Sequence, residues 1–190
     1  AINLIDGLDG LASLVSIKFL IVTGGIILVN YSELFLFFPI IIGGLLGFLL
    51  HNFSSTKKVF LGDTGSLFIG ATMAFFVIFI LDGNSQIITD KYISRPLMCV
   101  LILLYPLTDT LRAIILRSYK NQSPFVADRI HLHHRLADKG YEHWAASSVI
   151  FLISGLILFI NFLLFQYIGL TLCIALTLTL MIIFYYILFK

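Results

Sequence analysis

The stretch that decides the fold is AASSVIFLISGLILFINFLLF at residues 145–165, followed three residues later by GLTLCIALTLTLMIIFYYILF at residues 169–189. Each segment is about 20 residues long, which is the length of an α-helix that crosses the hydrocarbon core of a bilayer. Strands of a membrane barrel would instead show short segments of alternating hydrophobicity. These continuous runs of Leu, Ile and Phe therefore predict membrane-spanning helices.

The composition of the whole chain agrees with this prediction. Its 190 residues are 59% hydrophobic and only 12% charged, with a mean hydropathy of +1.05. A soluble domain is about a quarter charged, so a water-soluble globule and a disordered segment are both excluded. A net charge of +2 is too small to indicate nucleic acid as a partner. Cys99 and Cys173 lie in apolar runs and indicate neither a disulfide framework nor a zinc site.

The hydropathy pattern predicts an all-α bundle with six transmembrane helices in a single membrane domain, residues 1–190. The six predicted spans are residues 11–30, 34–50, 66–81, 96–116, 145–165 and 169–189. If residues 1–10, 51–65, 117–144 and the C-terminus share one face, that face, with Arg112 near its helix end, carries nine Lys and Arg residues and the opposite face two, while Lys18 lies inside the first span. Positive charge collects on the cytoplasmic side of membrane proteins, so the first face is predicted to be cytoplasmic.

The first polar motif on that face is AINLIDGLDGLA at residues 1–12. In a helix, Asn3, Asp6 and Asp9 would step by three residues along one edge. Two carboxylates and an amide at a membrane boundary can bind a hard cation or a polar ligand. The alternative is a capped, solvated helix start with Asp9 near the N-cap of the first span.

The second motif is FLGDTGS at residues 60–66, where the chain enters the third span. Asp63 is the acid of this loop, and a carboxylate there can hold Mg²⁺ between protein and phosphate. The Gly-Lys-Ser/Thr ending of a Walker loop is absent. The alternative role for Asp63 or Thr64 is a simple N-cap.

The third motif is SPFVADRIHLHHRL at residues 123–136, which places three His and two Arg within seven residues of the longest loop. Arg as a bidentate clamp and His as a donor suit a multiply charged phosphate ligand. A basic loop on anionic lipid and a His-based metal site are the alternatives.

One ionisable group lies inside a predicted span. Asp109 belongs to PLTDT at residues 106–110, where a charge is costly, so it is either paired with Arg112 or functional. The isolated His51 and His143 are expected to sit at the membrane interface. Taken together, the three motifs predict a Mg²⁺-dependent reaction on phosphates at the cytoplasmic membrane surface, with at least one lipid substrate.

The three motifs, in this order, resemble those of the polyprenyl-phosphate N-acetylhexosamine-1-phosphate transferases, which are multispanning bacterial enzymes with eukaryotic relatives. The resemblance implies transfer of a sugar-1-phosphate from a UDP-N-acetylhexosamine to undecaprenyl phosphate, with release of UMP. The His-x-His-His form resembles the N-acetylglucosamine-1-phosphate branch, which starts O-antigen, common-antigen or teichoic-acid linkage synthesis. The phospho-muramoyl-pentapeptide transferases of peptidoglycan synthesis are the alternative within the same class.

The resemblance also implies roles for individual residues. Asp63 and Asn3 match the metal ligands, for Mg²⁺ or alternatively Mn²⁺, and Asp6 and Asp9 match further catalytic acids around the nucleotide and metal. The positions that match the loop gripping the diphosphate of the UDP-sugar are Arg129, His131, His133 and His134. The implied location is the bacterial cytoplasmic membrane with the site facing the cytoplasm, and a homodimer is left open.

Two departures from the family pattern concern the start of the chain. Members carry an adjacent pair of aspartates ahead of the first motif and more spans than six, whereas this sequence has no Asp-Asp pair. The expectation is that residues 1–190 form the C-terminal part of a larger enzyme and are inactive alone. A transporter for an anionic solute is the competing class, but transporters place polar residues at the bilayer midplane, where these spans are nearly bare.

Overall fold

The computed structural model describes residues 2–30, 32–54, 56–82, 92–123, 131, 132, 136 and 138–189. Every regular element within these residues is a helix, which confirms the all-α prediction. The helices are α1 (Ile2–Ile5), α2 (Leu11–Asn30), α3 (Ser32–Phe35), α4 (Phe37–Asn52), α5 (Gly62–Leu81), α6 (Arg95–Ile102), α7 (Leu104–Tyr119) and α8 (His143–Phe189).

The long helices make the chain a multi-pass membrane protein. Among the described residues, four helices are long and apolar enough to cross a membrane, within α2, α3–α4, α5 and α8. A fifth span results if α6 and α7, which are bent by 74° relative to each other, count as one. The predicted number of six spans is therefore not confirmed and stays a prediction.

Helix α8 is broken at Gly169, which has φ 71° and ψ −177°. Ile150 and Ser154 from before this break line one small cavity together with Met181 and Phe184 from after it. In a straight helix, Ile150 and Met181 would lie about 46 Å apart at 1.5 Å per residue. The chain therefore reverses at Gly169, close to the predicted connection at residues 166–168, and α8 consists of two arms packed side by side.

The bend between α6 and α7 lies at Leu103, inside the predicted span 96–116. Pro106 follows three residues later and has no N–H to donate to the carbonyl of Ile102. The helical ladder is therefore interrupted where the two helices meet. The bend gives α7 its own direction, and α7 carries Asp109 into the fold.

Helix α2 is the central helix and packs against α4, α5, α6 and α8. Its Lys18 is buried and donates a hydrogen bond of 2.7 Å from Nζ to Oγ of Ser154 in α8. A polar bond between two helices in an apolar environment fixes their register. The short α1 packs against α5 and α7, so the first sequence motif is held against the start of the second.

Candidate functional site

The first motif forms one short helical turn followed by a loop. Ile2, Ile5 and Leu8 are buried and anchor this segment to the core. Helix α1 ends at Ile5, and α2 begins only at Leu11. The continuous helical edge expected for Asn3, Asp6 and Asp9 is therefore not formed, and the three side chains have different surroundings.

Asn3 and Asp6 face the beginning of α5, which carries the second motif. The hydroxyl of Ser66 lies 3.0 Å from Oδ1 of Asn3, to which it donates, and 3.1 Å from the carbonyl of Asp63. The backbone N–H of Gly62 donates to the carboxylate of Asp6. The structure thus brings Asn3, Asp6 and Asp63 together across 60 residues of sequence.

The pKa of Asp6 is raised from 3.8 to about 6. Burial is the largest cause, because it disfavours the charged carboxylate, and the nearby charge of Asp63 raises the pKa further. The hydrogen bond from Gly62 acts in the opposite direction. A cation bound beside Asp6 would favour the charged form of this carboxylate.

Asp63 lies in the first turn of α5 and is not its N-cap. The helix begins at Gly62, and the N-cap position is Leu61, which makes no side-chain capping bond. The alternative in which Asp63 or Thr64 merely caps this helix is therefore not the arrangement observed. The carboxylate of Asp63 lies beside Asp6 instead.

The oxygen atoms of this corner fit a magnesium ion by their chemistry. Mg²⁺ is usually held by one or two carboxylates and completes its shell with water and substrate phosphates. Asp6 and Asp63 supply two carboxylates, and Oδ1 of Asn3 retains a second lone pair beside its bond from Ser66. Within the part of the chain that the structure describes, no group of three or more His, Cys, Asp or Glu side chains converges.

Asp9 lies in a separate ion cluster. Its Oδ2 accepts from Nζ of Lys58 at 2.7 Å and pairs with Nδ1 of His143 at 2.9 Å. Its backbone carbonyl accepts from the hydroxyl of Ser147, in the first turns of α8. Asp9 therefore ties the first motif to the loop before α5 and to the start of α8, and its carboxylate is engaged with the ammonium of Lys58 and the ring of His143.

Asn52, at the end of α4, connects the loops that carry the first two motifs. Its Oδ1 accepts from the backbone N–H of Gly10 at 2.5 Å, and its Nδ2 donates to the carbonyl of Val59 at 2.7 Å. Gly10 has a φ of +75°, and a Cβ there would lie 2.2 Å from the ring of Phe53. A glycine is therefore required at this contact, and Asn52 holds it in place.

Of the third motif, the structure describes Ser123, His131, Leu132 and Leu136. Arg129, His133 and His134 lie outside the described residues. Nδ1 of His131 lies 2.8 Å from Oδ2 of Asp109. The expected pairing of Asp109 with Arg112 is confirmed, with 3.9 Å between Oδ1 and the guanidinium, but His131 is the closer partner.

An apolar groove with a volume of about 570 Å³ runs along α5 from this corner. Asn3 and Ser66 line its polar end, and Ile78 lies 12 residues further along α5, which is about 18 Å of helix. Small residues of α5 open the groove, and Leu103, Pro106 and Leu107 form the facing wall. A long apolar chain with a polar head fits this shape.

Three residues outside the sequence motifs bind the first motif, namely Asn52, Lys58 and His143. The sequence predicts only an interface position for His143 and no role for Asn52 and Lys58. Asn52 and Lys58 precede the second motif in the sequence. An amide at the end of an apolar span is a signal that points to a functional position for Asn52. The link between Asp109 and His131 bridges 22 residues and has no sequence pattern.

Comparison with known proteins identifies relatives for most of this chain. Residues 1–81 match the family described as Glycosyl transferase family 4. The chain is 40% identical over 159 residues to a Bacillus subtilis protein named probable undecaprenyl-phosphate N-acetylglucosaminyl 1-phosphate transferase, covering 80% of this chain and 41% of the relative. It is 35% identical over 173 residues to decaprenyl-phosphate N-acetylglucosaminephosphotransferase of Mycolicibacterium smegmatis, covering 84% and 42%.

A shorter match is to a phospho-N-acetylmuramoyl-pentapeptide-transferase. The chain is 47% identical over 76 residues to phospho-N-acetylmuramoyl-pentapeptide-transferase of Streptococcus agalactiae, covering 39% of this chain and 22% of the relative. No solved structure matches this sequence. The chain spans about two fifths of the length of the first two relatives.

Proposed function

Because this chain belongs to glycosyl transferase family 4, we propose that the protein transfers N-acetylglucosamine-1-phosphate to a polyprenyl phosphate in a bacterial cytoplasmic membrane. The donor is a UDP-sugar and the acceptor is undecaprenyl phosphate. The observation that carries the proposal is the groove whose polar end lies at Asn3 and Ser66. An apolar prenyl chain fits its length, and the head phosphate then lies beside the carboxylates of Asp6 and Asp63.

The proposed reaction is a phosphoryl transfer at the β-phosphorus of the donor. An oxygen of the lipid phosphate forms a bond to this phosphorus, and the bond from the phosphorus to the bridging oxygen of UMP breaks. The products are the sugar-diphospho-lipid and UMP. Catalysis of this kind relies on positioning and on stabilising charge, which is what acidic metal ligands and basic clamps supply.

We assign parts of this work to individual residues. Asp63 and Asn3 would hold Mg²⁺, with Asp6 beside them, and the bound ion would neutralise charge on the diphosphate. Asp9 pairs with Lys58 and His143 in the loop that follows α1, and we assign it to the part of the site that binds the nucleotide. The residues proposed to bind the diphosphate are Arg129, His131, His133 and His134.

The orientation of the site follows from the distribution of charge. Nine of the Lys and Arg residues lie on the predicted face that carries the three motifs, against two on the other face. We therefore place the site on the cytoplasmic side, where nucleotide sugars are available to it.

The test uses the full-length protein in membranes with undecaprenyl phosphate, Mg²⁺ and a panel of radiolabelled UDP-sugars, including UDP-MurNAc-pentapeptide. UDP-N-acetylglucosamine should give a lipid-linked product and UMP, and EDTA should abolish both. Exclusive use of UDP-MurNAc-pentapeptide would assign the protein to the other branch. If no UDP-sugar gave a lipid product, the proposed activity would be wrong.

A matched pair of variants tests the role of Asp63. Asp63→Asn should abolish Mg²⁺-dependent UMP release, because a neutral amide replaces the charged ligand. Glu33→Gln removes one carboxylate at the start of α3, away from the motifs, and should keep the wild-type rate. Wild-type turnover in Asp63→Asn would contradict the assigned role.

A further inference from the structure

We propose that Asp109 is a positioning residue that fixes the hydrogen-bonding state of His131 and anchors the segment carrying the third motif. The inference rests on the proposed function for its consequence in catalysis, and on the geometry around Asp109 for its structural part. The sequence left open whether Asp109 is a paired structural residue or a functional one.

The carboxylate of Asp109 is fully buried in α7, and each of its oxygens has a separate partner. Oδ1 accepts from the backbone N–H of Leu132 at 2.9 Å, and Oδ2 lies 2.8 Å from Nδ1 of His131. The backbone N–H of Leu132 donates to the carboxylate and the guanidinium of Arg112 lies 3.9 Å from it, which is the environment of an ionised carboxylate. Asp109 therefore holds two consecutive residues of the third motif from within a membrane-embedded helix.

Arg112 is itself held in position by the second arm of α8. Its guanidinium lies 5.8 Å from the centre of the Tyr185 ring, and the hydroxyl of Tyr185 donates to Oγ1 of Thr108 at 3.4 Å. The acid, its guanidinium neighbour and the ring form one packed unit. The contacts of Arg112 and Thr108 with Tyr185 thus tie the part of α7 that carries Asp109 to the second arm of α8.

The two bonds determine which nitrogen of His131 carries the hydrogen. An ionised carboxylate can only accept, so Nδ1 must be the protonated nitrogen, and Nε2 of the neutral ring is then an acceptor. An acidic partner that fixes the tautomer and ring orientation of a functional histidine is worth about 10- to 100-fold in activity or affinity. We assign this function to Asp109.

Asp109→Asn tests the assignment with little change in shape. The backbone N–H of Leu132 can only donate, so the amide oxygen of Asn must face it, and the NH₂ group then faces Nδ1 of His131. Nδ1 must become the acceptor, and in the neutral ring the hydrogen moves to Nε2. The substitution therefore reverses the tautomer while it keeps the loop attached.

The direct measurement is the ¹⁵N NMR spectrum of histidine-labelled full-length protein in lipid nanodiscs at mildly alkaline pH, with His131 assigned through His131→Gln. The wild type should show a protonated Nδ1, and Asp109→Asn should show a protonated Nε2. Thr110→Val, which removes the hydroxyl of the residue that follows Asp109 in α7, should keep the wild-type pattern. A bare Nδ1 in the wild type would overturn the proposal, even if Asp109→Asn did not fold.

The catalytic consequence is measured by a double-mutant cycle on sugar-phosphate transfer. Asp109→Asn should lower kcat by about 10- to 100-fold in the wild-type background. In the His131→Gln background it should cost less than about twofold, because residues that act as a unit are not additive. Equal losses in both backgrounds would overturn the positioning role, whereas a wild-type protein without transferase activity would refute the proposed function and leave the NMR result to stand alone.

Discussion

Replacing Asn52 by Leu tests whether the first two motifs depend on one buried amide. Leu has the same number and branching of side-chain heavy atoms as Asn but neither donates nor accepts a hydrogen bond. The substitution removes the bond from Gly10 and the bond to Val59, which tie the first motif to the loop before α5. Asn52 is only 4% exposed, so water has little access to the groups left behind.

The magnitude follows from the two lost bonds and one orphaned donor. Each neutral hydrogen bond contributes about 1 kcal/mol net, and an unsatisfied buried N–H costs about 1–3 kcal/mol. The N–H of Gly10 cannot turn away easily, because the ring of Phe53 packs against this residue. We therefore expect a loss of about 2–4 kcal/mol in the free energy of unfolding, reduced somewhat by the apolar surface of Leu.

The assay is thermal unfolding of the full-length protein in detergent, followed by UMP release at saturating substrate. Asn52→Leu should lower Tm by several degrees and lower kcat, since Asp9 and Asp63 would lose their fixed relation. His51→Gln, at the preceding exposed position, is the matched control and should leave both values unchanged. If Asn52→Leu behaved like this control, the amide would not be the tether that we describe.

Two other predictions concern Asp6 and Lys18, whose surroundings are known only from the structure. Because the pKa of Asp6 is raised, the folded protein binds a proton that the unfolded chain has already lost. In EDTA, the contribution of this proton to stability is therefore present near pH 4 and is lost as pH rises through about 6. Asp6→Asn should remove this component from a plot of Tm against pH, and an unchanged plot would contradict the prediction. Lys18→Met should be neutral or stabilising, because it replaces a buried cation by an apolar side chain. Ser154→Ala should cost about 1–3 kcal/mol, because it leaves the ammonium of Lys18 without this acceptor. Both effects are measured by Tm in detergent.

The all-α, multi-pass character of this protein could be predicted from composition and hydropathy, because a bilayer imposes one length and one polarity on every crossing helix. The two arms of α8 were predicted as separate runs for the same reason. The bend at Leu103 was not, because the apolar run continues through it. Pro106 was its available signal, but a proline in a membrane helix does not by itself give an angle.

The candidate site, like the fold, was predicted only in part from the sequence. Asn3, Asp6 and Asp63 were identified from motif spacing, and the structure brings these three together because α1 packs on the start of α5. Asp9 was expected on the same helical edge, but α1 ends at Ile5, so Asp9 lies with Lys58 and His143 instead.

The sequence by itself determined that most charged side chains lie at the membrane surface, because a charge inside a span is costly, and Lys18 and Asp109 are exceptions to this pattern. Only the tertiary structure decided their pairing. Asp109 with His131, Asp9 with His143 and Gly10 with Asn52 are contacts between distant segments. Such contacts depend on how whole helices pack, and no local pattern of residues records that packing.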